Sequence, residues 1–464
     1  MNNTREFLQL VWFAVKGKEQ DYTTLGIKQS IVLLAIPMIL EMVMESLFAI
    51  VDIFFVGKLG ASALATVGLT ESVLTIIYSV GMGISIAATA MVSRRVGEKH
   101  YTEAGSITFQ LIITGVVLAL LMGVVATYYA EEMLLLLGAT PEVVTTGVTY
   151  AQIIFAGNVA IIMLFLINGA FRGAGQPHLA MRALWLANGA NIILDPLLIF
   201  GIGSIEGMGL AGAAWATTIG RSLGVVYQLY HLLNGKHLLK IVRENLVISF
   251  AVVLRILKLS SGGVGQYLID SASWIFLTRL IAEFGSNALA GYTIAFRVII
   301  FTILPAWGLS SAAATLVGQN LGAHKAKRAE LAVWLTARYN MIFMAAITLV
   351  FILFGEHVSD FFTDDAEVVS IATEALQIIT LGYIFFGLGM VMVQAFNGAG
   401  DTRTPAIINV VVLWLIEIPL AYVLAIQLDF AATGIFIAIA FCHSFHAIVS
   451  GWLFRRGTWK RIKV

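Results

Sequence analysis

The sequence predicts an all-α polytopic membrane protein, with about 12 transmembrane helices in two pseudo-symmetric six-helix bundles. Three observations predict this. Of 464 residues, 59% are hydrophobic and only 12% charged, with a mean hydropathy of +0.90. A soluble chain of this size is about a quarter charged. Apolar runs of bilayer length recur along the whole chain, and short motifs repeat at a fixed spacing of 225 residues.

Residues 1–28 come first. Leu8 to Val15 is apolar but too short to span a bilayer. No small-residue cleavage site follows it, so no cleavable signal peptide is expected. With Trp12, Phe13, Lys16 and Lys18 the segment is expected to be an interfacial helix.

Runs long enough to cross a bilayer need about 20 residues. Six lie near 29–56, 66–92, 106–130, 143–170, 181–203 and 208–231, and form a first lobe over 29–231. A basic linker, expected to be cytoplasmic, covers 232–249. Six more runs lie near 250–280, 288–318, 331–355, 369–396, 405–427 and 431–454, and form a second lobe over 250–454. A basic tail occupies 455–464.

Charge sets the orientation. With the N-terminus inside, the alternate segments on that side hold 24 of the 28 basic residues, among them Arg94, Arg95, Arg172, Arg182, Lys325, Arg328, Arg455 and Arg456. The opposite loops hold acids such as Glu131, Glu132, Asp360, Asp364 and Asp365. The positive-inside rule then places both termini in the cytoplasm, on a multi-pass protein of the cell membrane. Net charge is +1, so nothing points to nucleic acid. The one cysteine, Cys442, excludes an intrachain disulfide. Gly at 43 and Pro at 7 fit close-packed membrane helices with few kinks.

The repeat is specific. Gly60-Ala-Ser-Ala-Leu-Ala matches Gly285-Ser-Asn-Ala-Leu-Ala, Val92 and Gly97 match Val317 and Gly322, and Ala170-Phe-Arg-Gly-Ala-Gly matches Ala395-Phe-Asn-Gly-Ala-Gly, all 225 residues apart. That interval holds about six spans, an even number. The halves therefore share one topology and are related by a pseudo-two-fold axis along the membrane normal, with a site between them.

An ionisable group at membrane depth costs about 2.5–3.5 kcal/mol on insertion scales, so each needs a reason. Glu41, Glu45 and Asp52 share one stripe of the first helix, with Phe48 on it and Pro37 a turn before. Asn188, Asn191 and Asp195 form a second stripe, ending at Pro196. Two amides, a carboxylate and a freed carbonyl offer hard oxygen ligands for a cation such as Na⁺, or a proton site. Asn168 and Thr217 are candidates to complete this pocket, and Glu45 is a candidate partner for Arg221. Arg221 and Arg297 are the basic residues expected deep in a helix.

The second half differs. At the repeat spacing Glu41 becomes Gln266, Glu45 becomes Asp270, Asp52 becomes Leu277 and Asp195 becomes Leu420. Ion coupling is thus expected in the first half. Asp270, Glu417, Gln266, Trp274 and Met38, with Glu45, are candidates to line a substrate cavity. His443 and His446 are expected to be packing residues with no acid nearby. There is no Walker loop, HExxH or GxSxG motif, and no enzyme is expected.

The chain resembles the multidrug and toxic compound extrusion (MATE) family over roughly residues 25–455. The resemblance rests on Pro37 to Asp52 with Val51-Asp-Ile-Phe-Phe-Val-Gly-Lys-Leu-Gly60, on Ala170-Phe-Arg-Gly-Ala-Gly-Gln-Pro177, on Asn191-Ile-Ile-Leu-Asp-Pro196, and on Ala395-Phe-Asn-Gly-Ala-Gly-Asp-Thr-Arg-Thr-Pro405. It implies two six-helix lobes around a V-shaped cavity and export of small cationic, amphipathic compounds against inward H⁺ or Na⁺, with no other cofactor. It also implies a monomer whose partners are organic cations and membrane lipids. Asn191 to Pro196 is similar to the branch named for a DNA-damage-inducible protein, in which Asp52 and Asp195 would be the central acids. Asn168, Asn191 and Thr217 would be their polar helpers, and Na⁺, if bound, would sit at Asp52, Asp195 and Asn191. The other bacterial branch uses a Glu in the seventh helix and an Asp in the tenth, which this sequence lacks. A lipid-linked oligosaccharide or phospholipid flippase on the same fold is the alternative. It would want a cationic cavity, and the candidates here are acidic.

Overall fold

Long apolar runs with no water to face bury their backbone polar groups in helices, and the computed structural model, which describes residues 4–17, 19–203 and 205–464, is accordingly almost all helix. The first helix, α1 (Thr4–Lys16), is amphipathic, with Leu8 and Trp12 61% and 62% exposed. Arg182 ties its end down by donating to the Val15 and Lys16 carbonyls, both at 3.0 Å. Lys18, expected to flank it, lies outside the described residues.

The first lobe follows as α2 (Ile27–Gly57), α3 (Ala61–Gly97), α4 (Tyr101–Tyr128), a short α5 (Ala130–Leu136), α6 (Pro141–Ala156), α7 (Asn158–Gly173), α8 (Pro177–Phe200), a hairpin of β1 (Gly201–Ile202) and β2 (Ile205–Glu206), and α9 (Leu210–Leu233). The second comprises α10 (Phe250–Ala282), α11 (Ser286–Gly322), α12 (Ala326–Asp360), α13 (Ala366–Leu381), α14 (Tyr383–Ala399), α15 (Arg403–Gln427) and α16 (Ala431–Arg456). Among the described residues eight helices are long and apolar enough to span a membrane, and ten if two bent pairs each count once. At 24 and 33 residues the more polar α9 and α10 also reach across about 30 Å, and complete twelve.

The bent pairs are where structure departs from the expected unbroken spans at 143–170 and 369–396. α6 and α7 meet at Gly157 with a 40° bend, and α13 and α14 at Gly382 with a 55° bend. A Cβ on Gly157 would strike Thr218, and one on Gly382 would strike the Ala440 backbone. Each break is thus wedged against the lobe's last helix, and the two glycines are repeat mates. α15 carries two stretches of wider π-helical turns, Val410–Glu417 and Val423–Gln427, which α8 lacks.

The lobes meet along α2–α11 and α3–α10, with α3 against α11 at the axis. A Cβ on Gly97 would hit the Gln319 carbonyl, and one on its mate Gly322 would hit the Arg94 carbonyl. This reciprocal contact is the signature of a two-fold axis. The interlobe hydrogen bonds among the described residues cluster at the end that carries the C-terminal tail. Arg94 donates to the Ala399 and Ile462 carbonyls, Arg95 to that of Val464, Gln319 to that of Gly173, and Arg328 to that of Leu25. The linker is also bound, since Asn245 donates to the Thr102 carbonyl at 2.8 Å and to Ser106 Oγ at 2.9 Å.

Candidate functional site

The acidic stripe of α2 faces its own lobe, as a stripe of charge on an apolar helix must. Glu41 is 1% exposed. Its Oε1 accepts from Asn168 Nδ2 at 3.0 Å and from Arg172 Nη1 at 3.2 Å. Arg172 also donates to Ser85 Oγ at 3.1 Å, and Gln228 donates to Asn168 Oδ1 at 2.6 Å. This corrects the placement of Arg172 among cytoplasmic residues, because α7 carries it inward to a buried carboxylate. It also moves Asn168 away from the Asn191–Asp195 pocket and onto Glu41.

One turn on, Glu45 is the partner of Arg221, as its position allowed. The guanidinium grips it with Nη2 to Oε1 at 2.7 Å and Nη1 to Oε2 at 3.3 Å, and Asn188 Nδ2 adds a bond to Oε2 at 2.9 Å. The Phe48 ring lies beneath the same guanidinium, 4.9 Å from its carbon. Two of the three acids are therefore paired with a guanidinium, Glu45 in a fork and Glu41 through Oε1 alone, its Oε2 being buried with no donor among the described residues.

The remaining acids have no such partner. Asp195 is fully buried in α8, beside Pro196. Asn191 Nδ2 donates to Asp195 Oδ1 at 3.3 Å and to Thr217 Oγ1 at 3.1 Å. Asp195 Oδ2, Asn191 Oδ1 and Asn188 Oδ1 are buried with no donor among the described residues. Asp52, partly buried, accepts no hydrogen bond from a described residue, yet lies in electrostatic range of Asp195, Arg221 and Glu71. Glu71 of α3 was not singled out in the sequence. It is exposed and in electrostatic range of Arg297 on the other lobe. Its signal was an acid in mid-run whose repeat mate is Phe296.

In the second lobe Gln266 and Asn397 exchange hydrogen bonds at 3.0 and 3.2 Å, where the first lobe has Glu41 and Arg172. Both members of the pair lose their charge together at the 225-residue spacing, the signal by which Arg172 was findable. Glu417, 1% exposed, accepts from Ser273 at 3.4 Å and lies 3.8 Å from His443 Nε2. His443 therefore does have an acid beside it, contrary to expectation, because α15 and α16 pack with those faces together. His443 and His446 line a cavity of about 350 Å³ with Asp270, Gln266 and Trp274. Met38 lines instead a crevice of about 80 Å³ between the lobes, with Arg172.

Comparison with known proteins gives one consistent family. The MatE family model matches residues 37–197 and again 264–423, once in each half. The probable multidrug resistance protein NorM of Thermotoga maritima is 25% identical over 440 residues, which are 94% of this chain and 94% of that protein. The multidrug export protein MepA of Staphylococcus aureus is 24% identical over 417 residues, 90% of this chain and 91% of its own. A crystal structure of MATE in complex with MaL6 superposes with a TM-score of 0.90 at 24% identity, covering 96% of this chain and 100% of that one. An outward-facing multidrug resistance MATE transporter does so with a TM-score of 0.88 at 24% identity, covering 99% and 100%.

Proposed function

The chain belongs to the MatE family, and on that premise we propose that it is a secondary active antiporter, exporting cationic amphipathic organic compounds in exchange for inward H⁺ or Na⁺. The printed names of its relatives, a multidrug resistance protein and a multidrug export protein, support the export reading. The observation that carries the coupling is the Asp195–Asn191 pair, a buried carboxylate and amide whose Asp195 Oδ2 and Asn191 Oδ1 are reached by no donor among the described residues. An unpaired buried charge is costly, and a proton or a hard cation removes that cost. Carboxylate and amide oxygens suit Na⁺ as well as H⁺. Asp52 is the second acid of this site, because Arg172 and Arg221 already occupy Glu41 and Glu45. The site lies in the first lobe, as the branch resemblance implies.

With both termini in the cytoplasm of a cell-membrane protein, the bonded end is the inner one, and this conformation opens outward. Cation binding at Asp52 and Asp195 favours the arrangement in which these groups are buried. Release inside favours the other, by differential affinity for the two states. A flippase for phosphate-bearing lipids finds less support, since Arg172 and Arg221 are each engaged by a glutamate.

The test is ethidium efflux from vesicles with an imposed pH or Na⁺ gradient. Wild-type protein is expected to respond to one of the two gradients, which identifies the ion. Asp195→Asn is expected to lose the response while remaining in the membrane, and full activity in that variant would exclude the assignment.

A further inference from the structure

In the first lobe one arginine lies near two acids of a single stripe. Arg221 of α9 is 3% exposed, forks onto Glu45 and rests on the Phe48 ring. Glu45, Phe48 and Asp52 follow one another along α2 at spacings of 3 and 4, so the ring lies between the two carboxylates. Seven residues of helix set those acids about 10 Å apart along the axis. Asp52 is in electrostatic range of Arg221 but forms no ion pair with it in this conformation. The other titratable groups in range of Arg221 or the two acids are Glu41 of α2, Tyr78 and Glu71 of α3, Tyr150 of α6 and Asp195 of α8, and none of these is a cation.

The repeat separates the arginine from the acid it now holds. The second lobe keeps an acid in the place of Glu45, as Asp270, which has no cation in ion-pair distance among the described residues. Arg221, Phe48 and Asp52 are replaced together, by His446, Ser273 and Leu277. An acid at this position thus stands without an arginine, and the arginine and its ring occur in the lobe that has Asp52. A guanidinium keeps its charge, so it always needs a counter-charge. With one guanidinium and two carboxylates, the acid it leaves needs another partner. Glu45 has one, Asn188 Nδ2 at 2.9 Å. Asp52 has no donor among the described residues, so it is the acid that requires a cation while Arg221 is on Glu45. A change of rotamer across the Phe48 face carries the charge from one acid to the other.

We infer that Arg221 is the internal counter-ion of the coupling site, holding Glu45 while the coupling cation occupies Asp52 and swinging onto Asp52 when that cation leaves. Arg221 then competes with the ion for one carboxylate and keeps the ion's affinity low enough for release. The inference rests on the coupling reading above and adds to it the group that displaces the ion.

The test reads the thermal midpoint of the purified full chain in lipid nanodiscs, without any gradient. Sodium chloride at acidic pH loads the site, and potassium chloride at alkaline pH empties it. In the loaded condition Glu45→Gln and Arg221→Gln are expected to be non-additive, the double variant losing less than the sum of the singles. In the empty condition that coupling is expected to fall, because Arg221 has left Glu45. Asp52→Asn, added to every member of the cycle, is expected to restore it. A purely structural pair gives the same coupling throughout, and that result overturns the inference. The Na⁺ or H⁺ concentration that half-saturates the midpoint shift is expected to fall about tenfold in Arg221→Gln and to rise about tenfold in Glu45→Gln, which frees the guanidinium for Asp52. Arg221→Lys, which keeps the charge, is expected to stay near wild type. An unchanged or lower value in Glu45→Gln overturns the inference even if Arg221→Gln folds poorly. A wild-type midpoint and efflux that respond to neither cation defeat the coupling reading and this inference with it. A normal ion response with the same coupling in both conditions defeats this inference alone.

Discussion

The two lobes share a scaffold and differ in charge. Where the backbone touches backbone, the repeat is faithful. Gly97 and Gly322 meet across the axis, Gly157 and Gly382 break the fourth span of each lobe, and Gly173 and Gly398 admit the carbonyls of the mates Thr89 and Ala314. Even a surface contact recurs, Ser62 to Glu142 at 2.9 Å and Asn287 to Glu367 at 2.6 Å. The polar interior does not repeat. Glu41–Arg172 becomes Gln266–Asn397, Glu45–Arg221 becomes Asp270–His446, and Asp52 and Asp195 become leucines. The difference teaches which parts of a duplicated bundle packing holds in place. A close helix approach tolerates only a missing side chain, whereas a buried charge can be traded for a neutral group if its partner changes with it.

The largest expected effect tests that asymmetry directly. Asp195→Asn removes gradient-driven efflux, whereas Glu417→Gln, which deletes the second-lobe acid one turn from Leu420, leaves the gradient dependence in place. Equal losses in vesicle transport would break the contrast between lobes. Next comes Arg221→Ala, which strands Glu45 and is expected to cost about 3 kcal/mol of stability. His446→Ala, losing one neutral bond to Asn409, is expected to cost about 1 kcal/mol. Thermal unfolding in detergent compares the two.

A double-mutant cycle then sharpens the charge swap. Glu41→Gln and Arg172→Asn each leave a buried partner unpaired, but together they convert the first-lobe pair to the second-lobe one. The double variant is expected to be more stable than the sum of the singles by about 1–3 kcal/mol. Additive losses would show that the pair is not a unit. The smallest effects are expected at the surface contact repeated in both lobes, where Ser62→Ala and Asn287→Ala each change stability by about 0.5 kcal/mol or less, and by similar amounts.

Much of the fold was legible in the sequence, because bilayer length and hydropathy act on each span separately. The bends at Gly157 and Gly382 were not, since each falls inside an apolar run and depends on Thr218 or Ala440 pressing from another helix. The site was partly legible. The stripes Glu41–Glu45–Asp52 and Asn188–Asn191–Asp195 follow from helical periodicity. Their partners do not. Arg172 looked like a loop-end cation of the inside, and His443 like a packing residue with no acid near it.

The sequence by itself determined the class of protein, the two-lobe repeat, and which acids share a helical face, because composition and periodicity are properties of one helix at a time. Only the tertiary structure decided which of those acids are neutralised. Glu41 meets Arg172 across 131 residues of chain and Glu45 meets Arg221 across 176, while Asp52, Asp195 and Asp270 meet no cation in ion-pair distance among the described residues. Whether a buried carboxylate is a strut or a working group depends on what faces it from a neighbouring helix, and that is settled by packing, not by spacing along the chain.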